Sequence, residues 1–502
     1  MSTIRKQSLI STGIIYFGFA IGLLNTYFFT REGTFTESEY GLTTIFIAIT
    51  SMIMAFANMA MPTFIFKFYP YYHDHLPPKK NDMLTWALLV STVGFILVVI
   101  TGIILKQVII RKFSENSPML VSYYYWTFVM GFGVTIYNIL EVYSWNLGKS
   151  VLTNFLKEVQ WRIFVSILIA LYLTHSISDF DIFIKLYAFT YPVLALILFL
   201  YLVIKKKIHF TFKVSRVSRR YFRNIVNLCV YAYSGLIIFT VSQVADSLVI
   251  AAVLDDGLSK AGIFGLAQLM TSVIQVPQRG IVAASIGHLS RAWKEKNTEL
   301  LRRIYQRSSI NLLVFASGIF ILIALNYKEA VTSFELKEKY LLGFDVFILL
   351  GLSRVIDLGT GVNAQIIATS TYWKFELFSG VILLVLMLPL TYILTKQYDI
   401  IGPAIAHMIS ITIYNGIRIL FLWRNFSLFP FTIKSAYTVL LAAACFVITY
   451  YLFRSLHGIP GMIVRTLGFI IIYGAGVFYL KLSPDVIPVL QTIRKRFRGR
   501  ND

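Results

Sequence analysis

The chain has 502 residues, 57% of them hydrophobic and 14% charged, with a mean hydropathy of +0.71. Soluble domains carry about 25% charged residues, so that class is excluded, and long uninterrupted apolar blocks indicate a polytopic membrane protein. The formal charge of +22, from 46 Lys+Arg and 24 Asp+Glu, suggests a nucleic-acid partner only until its location along the chain is considered.

The first apolar run, 8–30, follows Arg5 and Lys6 as a signal peptide would, but no small-residue cleavage site comes after it and a second run starts at once. It is expected to remain as helix 1. Further runs lie at 41–66, 83–105, 119–145, 153–173, 182–204, 222–252 and 261–288, then at 307–327, 340–369, 371–395, 400–423, 432–454 and 459–481. Together they predict an all-α fold of fourteen transmembrane helices, with both termini on one side. If the termini are cytoplasmic, and the span-end residues Arg223, Arg307, Lys374 and Lys434 are counted with the cytoplasmic segments and Arg454 with the outer loops, the cytoplasmic segments hold 28 Lys+Arg and 6 Asp+Glu, the outer loops 10 and 12, and the spans 8 and 6. This satisfies the positive-inside rule, and a missed helix would have inverted every later loop. The positive charge is thereby assigned to topology and to anionic lipid headgroups, above all through 205–223 and 291–307. Basic residues divided among many short loops make no nucleic-acid site, and no loop is long enough for a nucleotide-binding domain. Cys229 and Cys445 lie apart in apolar runs, so neither a disulfide framework nor a cysteine metal site is expected.

After helix 1 the chain reads Glu32-Gly33 and then Tyr40-Gly41-Leu42; after helix 7 it reads Asp256-Gly257 and then Phe264-Gly265-Leu266. Acid-Gly and aromatic-Gly-Leu recur at one spacing, six helices on, which points to parallel repeats about an axis along the membrane normal. The expected organisation is a six-helix lobe at 1–204, a basic cytoplasmic linker at 205–221 and a second six-helix lobe at 222–425. Two further helices and a basic cytoplasmic tail follow at 426–502. Such a plan ordinarily builds a central cavity for alternating access.

Ionisable side chains inside spans are candidates for function because each costs several kcal/mol at the bilayer centre. Arg279 follows Pro277 in helix 8; Arg354 and Asp357 share one face of helix 10; Asp246 lies in the outer half of helix 7, three residues after Gln243. These form either self-neutralising pairs, Arg354 with Asp357 and Asp246 with Arg279, or a hydrated cavity whose guanidinium groups hold a pyrophosphate. In helix 5, Glu158 and Arg162 are spaced as a helical ion pair, and Lys185 in helix 6 adds a cation near the outer end. Glu141, one turn from the inner end of helix 4, fits either role. Arg418, Arg465, Lys157 and Lys481 lie close to span ends and are expected to snorkel.

Several apparent motifs fail. Gly148-Lys149-Ser150 lacks the first glycine of a phosphate loop, since residue 143 is tyrosine. His73-Asp74-His75 reads as a solvated loop, and Asp179-Phe180-Asp181 falls on the outer face, away from nucleotide sugars. Gly18 and Gly22 make a small-xxx-small pattern suited to helix packing.

The 6+6+2 plan, the phrase from Arg31 to Tyr40-Gly41-Leu42, and Gly402-Pro403-Ala404-Ile405-Ala406 opening helix 12 resemble the Wzx-type polysaccharide and O-antigen flippases. These belong to the multidrug/oligosaccharidyl-lipid/polysaccharide (MOP) exporter superfamily. Asn363 to Ser370, with Ile366-Ile367-Ala368, is similar to that family's tenth helix, and His288-Leu289-Ser290-Arg291 to its helix 8–9 junction. The resemblance covers nearly the whole chain. It implies a non-enzymatic flippase of the bacterial cytoplasmic membrane, moving an undecaprenyl-pyrophosphate-linked oligosaccharide to the outer leaflet for polysaccharide biosynthesis. Substrate binding would fall to Arg279, Arg354, Arg162 and Lys185, and ion or proton coupling to Asp246, Asp357 and Glu141. No cofactor or metal is expected; the partners would be membrane lipids and other polysaccharide-assembly proteins, and the chain a monomer. Lipid II flippases carry arginines in helix 1, whereas residues 7–30 have none; many cation-coupled drug exporters use an acid there, which is also missing. A polymerase or ligase would be expected to have a large outer loop.

Overall fold

The computed structural model describes residues 3–483, so most of the expected basic tail, from residue 484 on, lies outside the described residues. These are 85% helix, with no strand among them. In the first part of the chain the helices are α1 (Thr3–Thr30), α2 (Glu37–Asn58), α3 (Met61–His75), α4 (Met83–Ile104), α5 (Lys106–Phe113), α6 (Pro118–Ser122), α7 (Tyr124–Asn146), α8 (Ser150–Asn154), α9 (Trp161–Leu173), α10 (Phe180–Ile204) and α11 (Arg216–Val253). They continue as α12 (Gly257–Ile274), α13 (Val276–Lys294), α14 (Thr298–Ser333), α15 (Gly343–Gly359), α16 (Asn363–Thr369), α17 (Lys374–Tyr398), α18 (Ile401–Phe426), α19 (Ile433–Phe453) and α20 (Gly458–Tyr479).

Eleven of the described helices are long and apolar enough to cross a membrane. The expected spans at 119–145, 153–173 and 340–369 are not among them, and the count of fourteen is a reading that treats interrupted helices as single crossings. The interruptions have local causes. Helix 2 of the sequence reading breaks where Met59 and Ala60 adopt left-handed backbone (φ 46° and 57°), just ahead of Pro62. A π-helical turn over Phe155–Gln160 separates α8 from α9. The 261–288 segment divides at Gln275, ahead of Pro277. Between α15 and α16 the chain turns through Gly361 at φ 71°. There Ser308 Oγ accepts from Val362 N (3.3 Å), and Ser309 Oγ donates to the Gly359 carbonyl (2.5 Å). Irregular backbone at membrane depth survives where protein groups satisfy it in this way.

By contact the chain divides into two compact units, 1–262 and 263–502. In the first, α7 packs on α2 and α10, and α11 packs on α2 and α3, around a core that includes Tyr72, Met83, Tyr137, Leu140, Leu198 and Leu202. The repeat-based lobe boundaries at 204 and 222 remain a proposal about the two halves; they differ from this contact division. The segment 205–221 is docked: Tyr143 Oη donates to Lys207 O (3.2 Å) and Thr211 N to Thr85 Oγ1 (3.1 Å). Fully buried Asp82 accepts from Ser215 N (2.8 Å) and Ser218 Oγ (2.7 Å), securing the start of α11. Tyr72 Oη lies 2.7 Å from Ser218 Oγ, and burial pushes this phenol, outside the candidate spans, up to about 12.

In the second unit α14 runs through the packing, against α15, α19 and α20. Ile310, Val314, Ile321 and Leu325 of α14 meet Cys445, Phe469 and Tyr473, so α19 and α20 are anchored to α14. Rows of exposed apolar side chains, such as Val93, Ile96, Leu97, Ile100 and Ile104 on α4, and Ile463, Leu467, Ile470 and Ile471 on α20, mark surfaces suited to lipid. The chain is a multi-pass membrane protein.

The repeated aromatic-Gly-Leu motif has a packing role in its first copy. A Cβ on Gly41 would overlap the Leu258 carbonyl, and one on Gly262 would come within 2.7 Å of the Glu37 carbonyl. The starts of α2 and α12 therefore cross backbone to backbone, which only glycine permits.

Candidate functional site

In the first unit the glycine stripe of α1 and the charged pair of the π-turn form one structure. Arg162 Nη1 bonds Glu158 Oε2 at 2.6 Å and the Glu158 carbonyl at 2.5 Å. Gly22 faces the guanidinium so closely that a Cβ there would come within 2.8 Å of Arg162 Nε, and one on Gly18 would overlap the Glu158 carbonyl. One turn on, Asn25 Nδ2 donates to Arg162 O (2.9 Å) and Ser166 Oγ donates to Asn25 Oδ1 (2.6 Å). Gly18 and Gly22 thus serve packing, as expected, but what they accommodate is an ion pair rather than an apolar ridge.

Glu141 is buried on α7, and Lys157 Nζ approaches its Oε2 at 3.1 Å; the two side chains are 2% and 40% exposed. Lys157 therefore balances a buried acid and is not merely a snorkelling anchor. Lys185 pairs with Asp181 at 2.5 Å, with side chains 38% and 48% exposed, and lies over the Trp126 ring at 5.9 Å. Asp246 is buried on α11.

The second unit holds a polar network at the α15–α16 break. Asn415 of α18 donates to Asp357 Oδ1 (2.9 Å), while its own Oδ1 accepts from Asn363 Nδ2 (2.8 Å) and Thr360 Oγ1 (3.2 Å). Arg354, also buried, reaches the α12–α13 break: with the Gln275 amide oxygen turned toward it, that oxygen accepts from Nη1 (2.8 Å) and Nε (3.2 Å). Asp357 and Arg354 thus bind two different helix interruptions, a role that the i,i+3 spacing alone did not reveal.

Arg418 corrects an expectation. It does not snorkel: its side chain is 4% exposed and pairs with Glu376 of α17 at 2.5 Å. It also donates to Ser379 Oγ (3.2 Å) and lies 3.9 Å above the Tyr414 ring. Arg465 is likewise buried, donating to the carbonyls of Leu325 (2.9 Å) and Leu456 (2.8 Å). Distance from a span end misled in both cases, because helix neighbours rather than the bilayer surface lie over these arginines.

Arg279 stands apart. It lies in the first turn of α13, with an exposed side chain, beside Gly280. No atom lies within 4 Å of where a Cβ on Gly280 or on Gly287, two turns on, would be placed. Ala284, Gly287 and His288 on the same helix are exposed as well, and α13 is not apolar enough to count among the candidate spans. The result is a small-residue, polar helix face with a guanidinium near the positive end of the helix dipole, an arrangement that favours an anion.

No family model matches the sequence, and no curated protein does. Solved structures do match. The lipid II flippase MurJ, in an inward closed conformation, superposes with a TM-score of 0.72 at 16% identity, covering 94% of this chain and 99% of that one. The likeness is one of fold. An inward-facing multidrug resistance MATE family transporter of the MOP superfamily matches at 0.66 and 13% identity, over 84% of this chain and 98% of its own. A Vibrio cholerae MATE transporter matches at 0.55 and 14%, over 85% and 98%.

Proposed function

We propose that this chain is a flippase for a lipid-linked oligosaccharide, moving a pyrophosphate headgroup across the bacterial cytoplasmic membrane by alternating access. The observation that carries the reading is the open, polar face of α13 with exposed Arg279 at its first turn. A helix of that character, within a segment flanked by membrane-spanning sequence, is suited to line water. Guanidinium offers several donors to phosphate and keeps its charge in a low-dielectric setting. Arg162, Arg354 and Arg418 already have protein partners, so Arg279 is the first candidate for the headgroup and Arg354 the second. Arg162 would act only after leaving Glu158, and Lys185 would contribute from the outer surface. Asp246 is the acid assigned to ion or proton coupling, with Asp357 and Glu141 after it. The chain acts as a transporter and not as an enzyme.

The extent of the match favours a lipid substrate: the MurJ structure covers 94% of this chain, the MATE structures about 84%. Lipid II is therefore the second reading, opposed by the lack of arginine in residues 7–30. The test is headgroup translocation in proteoliposomes, with a lipid-linked oligosaccharide and lipid II assayed in parallel. Arg279→Ala is expected to slow transport at least about tenfold, as loss of a charge-assisted contact would, and Arg279→Lys to restore part of it. Unchanged transport in both Arg279→Ala and Arg354→Ala would refute the proposal, and faster movement of lipid II would select the second reading.

A further inference from the structure

The first unit contains an apolar cavity of about 720 Å³ that the transport reading does not use. Met59, Met61 and Phe64 line it at the α2–α3 break, Trp86 and Val90 on α4, and Phe222, Ile225, Val226, Cys229 and Val230 along α11. Its volume is in the range of small-molecule sites, about 300–1,000 Å³. The α11 wall is open to the surroundings: Phe222 is 67% exposed and Val230 58%. At one end the lining changes character, to Tyr72, Ser218 and Arg219. This is the end held by Asp82, and the end that the charge distribution assigns to the cytoplasmic side. Deeper in, Tyr233 closes the cavity by donating to the Phe56 carbonyl (3.0 Å) beside the left-handed break.

A further observation indicates what fills it. Around the mouth, Lys213, Arg216, Arg220 and Arg223 are all exposed next to Arg219, a concentration of positive charge that suits one anionic headgroup. The lining presents nothing suited to sugar hydroxyls beyond Tyr72, Ser218 and Tyr233.

We infer that this cavity is a binding site for an anionic glycerophospholipid of the cytoplasmic leaflet, with an acyl chain against α4 and α11 and the phosphate at Arg219. The lining belongs wholly to the first unit, and the occupant is resident lipid rather than transported lipid. The acyl chain lies along Met59 and Met61, beside the α2–α3 break.

The test is native mass spectrometry of the full chain in detergent, titrated with phosphatidylglycerol, phosphatidylcholine or undecaprenyl pyrophosphate. Wild type is expected to retain phosphatidylglycerol roughly fivefold better than phosphatidylcholine, the preference one basic contact near a membrane provides. Arg219→Gln is expected to bring that ratio to about one. Val230→Trp, at an exposed position on the wall, is expected to reduce retention of both lipids while the purified chain stays monodisperse with an unchanged melting temperature. Equal retention of the two phospholipids by wild type, or no effect of Val230→Trp on a folded chain, would overturn the proposal. Tighter retention of undecaprenyl pyrophosphate than of phosphatidylglycerol would overturn it too, by making the occupant a transported lipid. None of these measurements depends on transport, so the result stands whether or not the flippase reading does.

Discussion

The Arg418–Glu376 pair gives an asymmetric prediction, because its two side chains are buried to different degrees, 4% exposed for the arginine and 35% for the acid. Glu376→Ala leaves a buried guanidinium with only Ser379 Oγ and the Tyr414 ring. Removing one partner of a buried pair costs about 3–5 kcal/mol, and a desolvated cation–π contact recovers part of that, so the lower end, about 3 kcal/mol, is expected. Arg418→Met keeps most of the side-chain volume and leaves a carboxylate that solvent reaches, with an expected cost of about 1–2 kcal/mol. Glu376 also lies in the first turn of α17, where the helix dipole favours the remaining negative charge. The double variant is expected to be more stable than the sum of the singles implies, with a coupling of about 2 kcal/mol. Reversible denaturant unfolding of the full chain in mixed micelles reads all four corners of the cycle. Equal losses for the two single variants, or strict additivity, would refute the assignment of Arg418 as a buried, acid-compensated cation.

Other predictions follow the same logic of burial. Lys157→Ala strands Glu141, 2% exposed, and is expected to cost about 3–5 kcal/mol; Lys185→Ala breaks an exposed pair and is expected to cost under about 1 kcal/mol, so thermal melts of the two should separate clearly. Gly41→Val forces side chain onto the Leu258 carbonyl and is expected to cost about 3 kcal/mol or more, seen as lost folded yield, whereas Gly13→Ala in open space on α1 is expected to be neutral or mildly stabilising. The Tyr72 phenol holds its proton more tightly when folded, at about 12 against an ordinary 10. The stability this contributes is complete below pH 10 and lost as pH rises toward 12, so Tyr72→Phe is expected to flatten the alkaline limb of a stability-versus-pH curve.

Apolar block length carries the membrane class and the all-helical architecture, because it is a one-dimensional consequence of bilayer thickness, while the expectation of a MOP-type plan came from the resemblance of short motifs. The Glu158–Arg162 pair was legible for a similar reason: its partners are four residues apart on one helix. Arg418 was not, since Glu376 and Ser379 stand on a different helix and nothing in linear spacing reports that neighbour. The polar character of 415–418, with Asn415 one turn before an arginine in an otherwise apolar run, was the signal available.

The sequence by itself determined that this chain crosses a membrane many times. Of the helix breaks, the sequence reading noted only Pro277; those at Pro62 and Gly361 lay inside expected spans and emerged with the fold. Tertiary structure decided which buried charges are already neutralised, why Gly18 and Gly41 must be glycine, and that Arg279 alone among the proposed substrate arginines lies on an open helix face. A charge inside the membrane is structural or available according to what stands within a few ångströms of it. That is a property of helix packing, which the order of residues implies only through the fold.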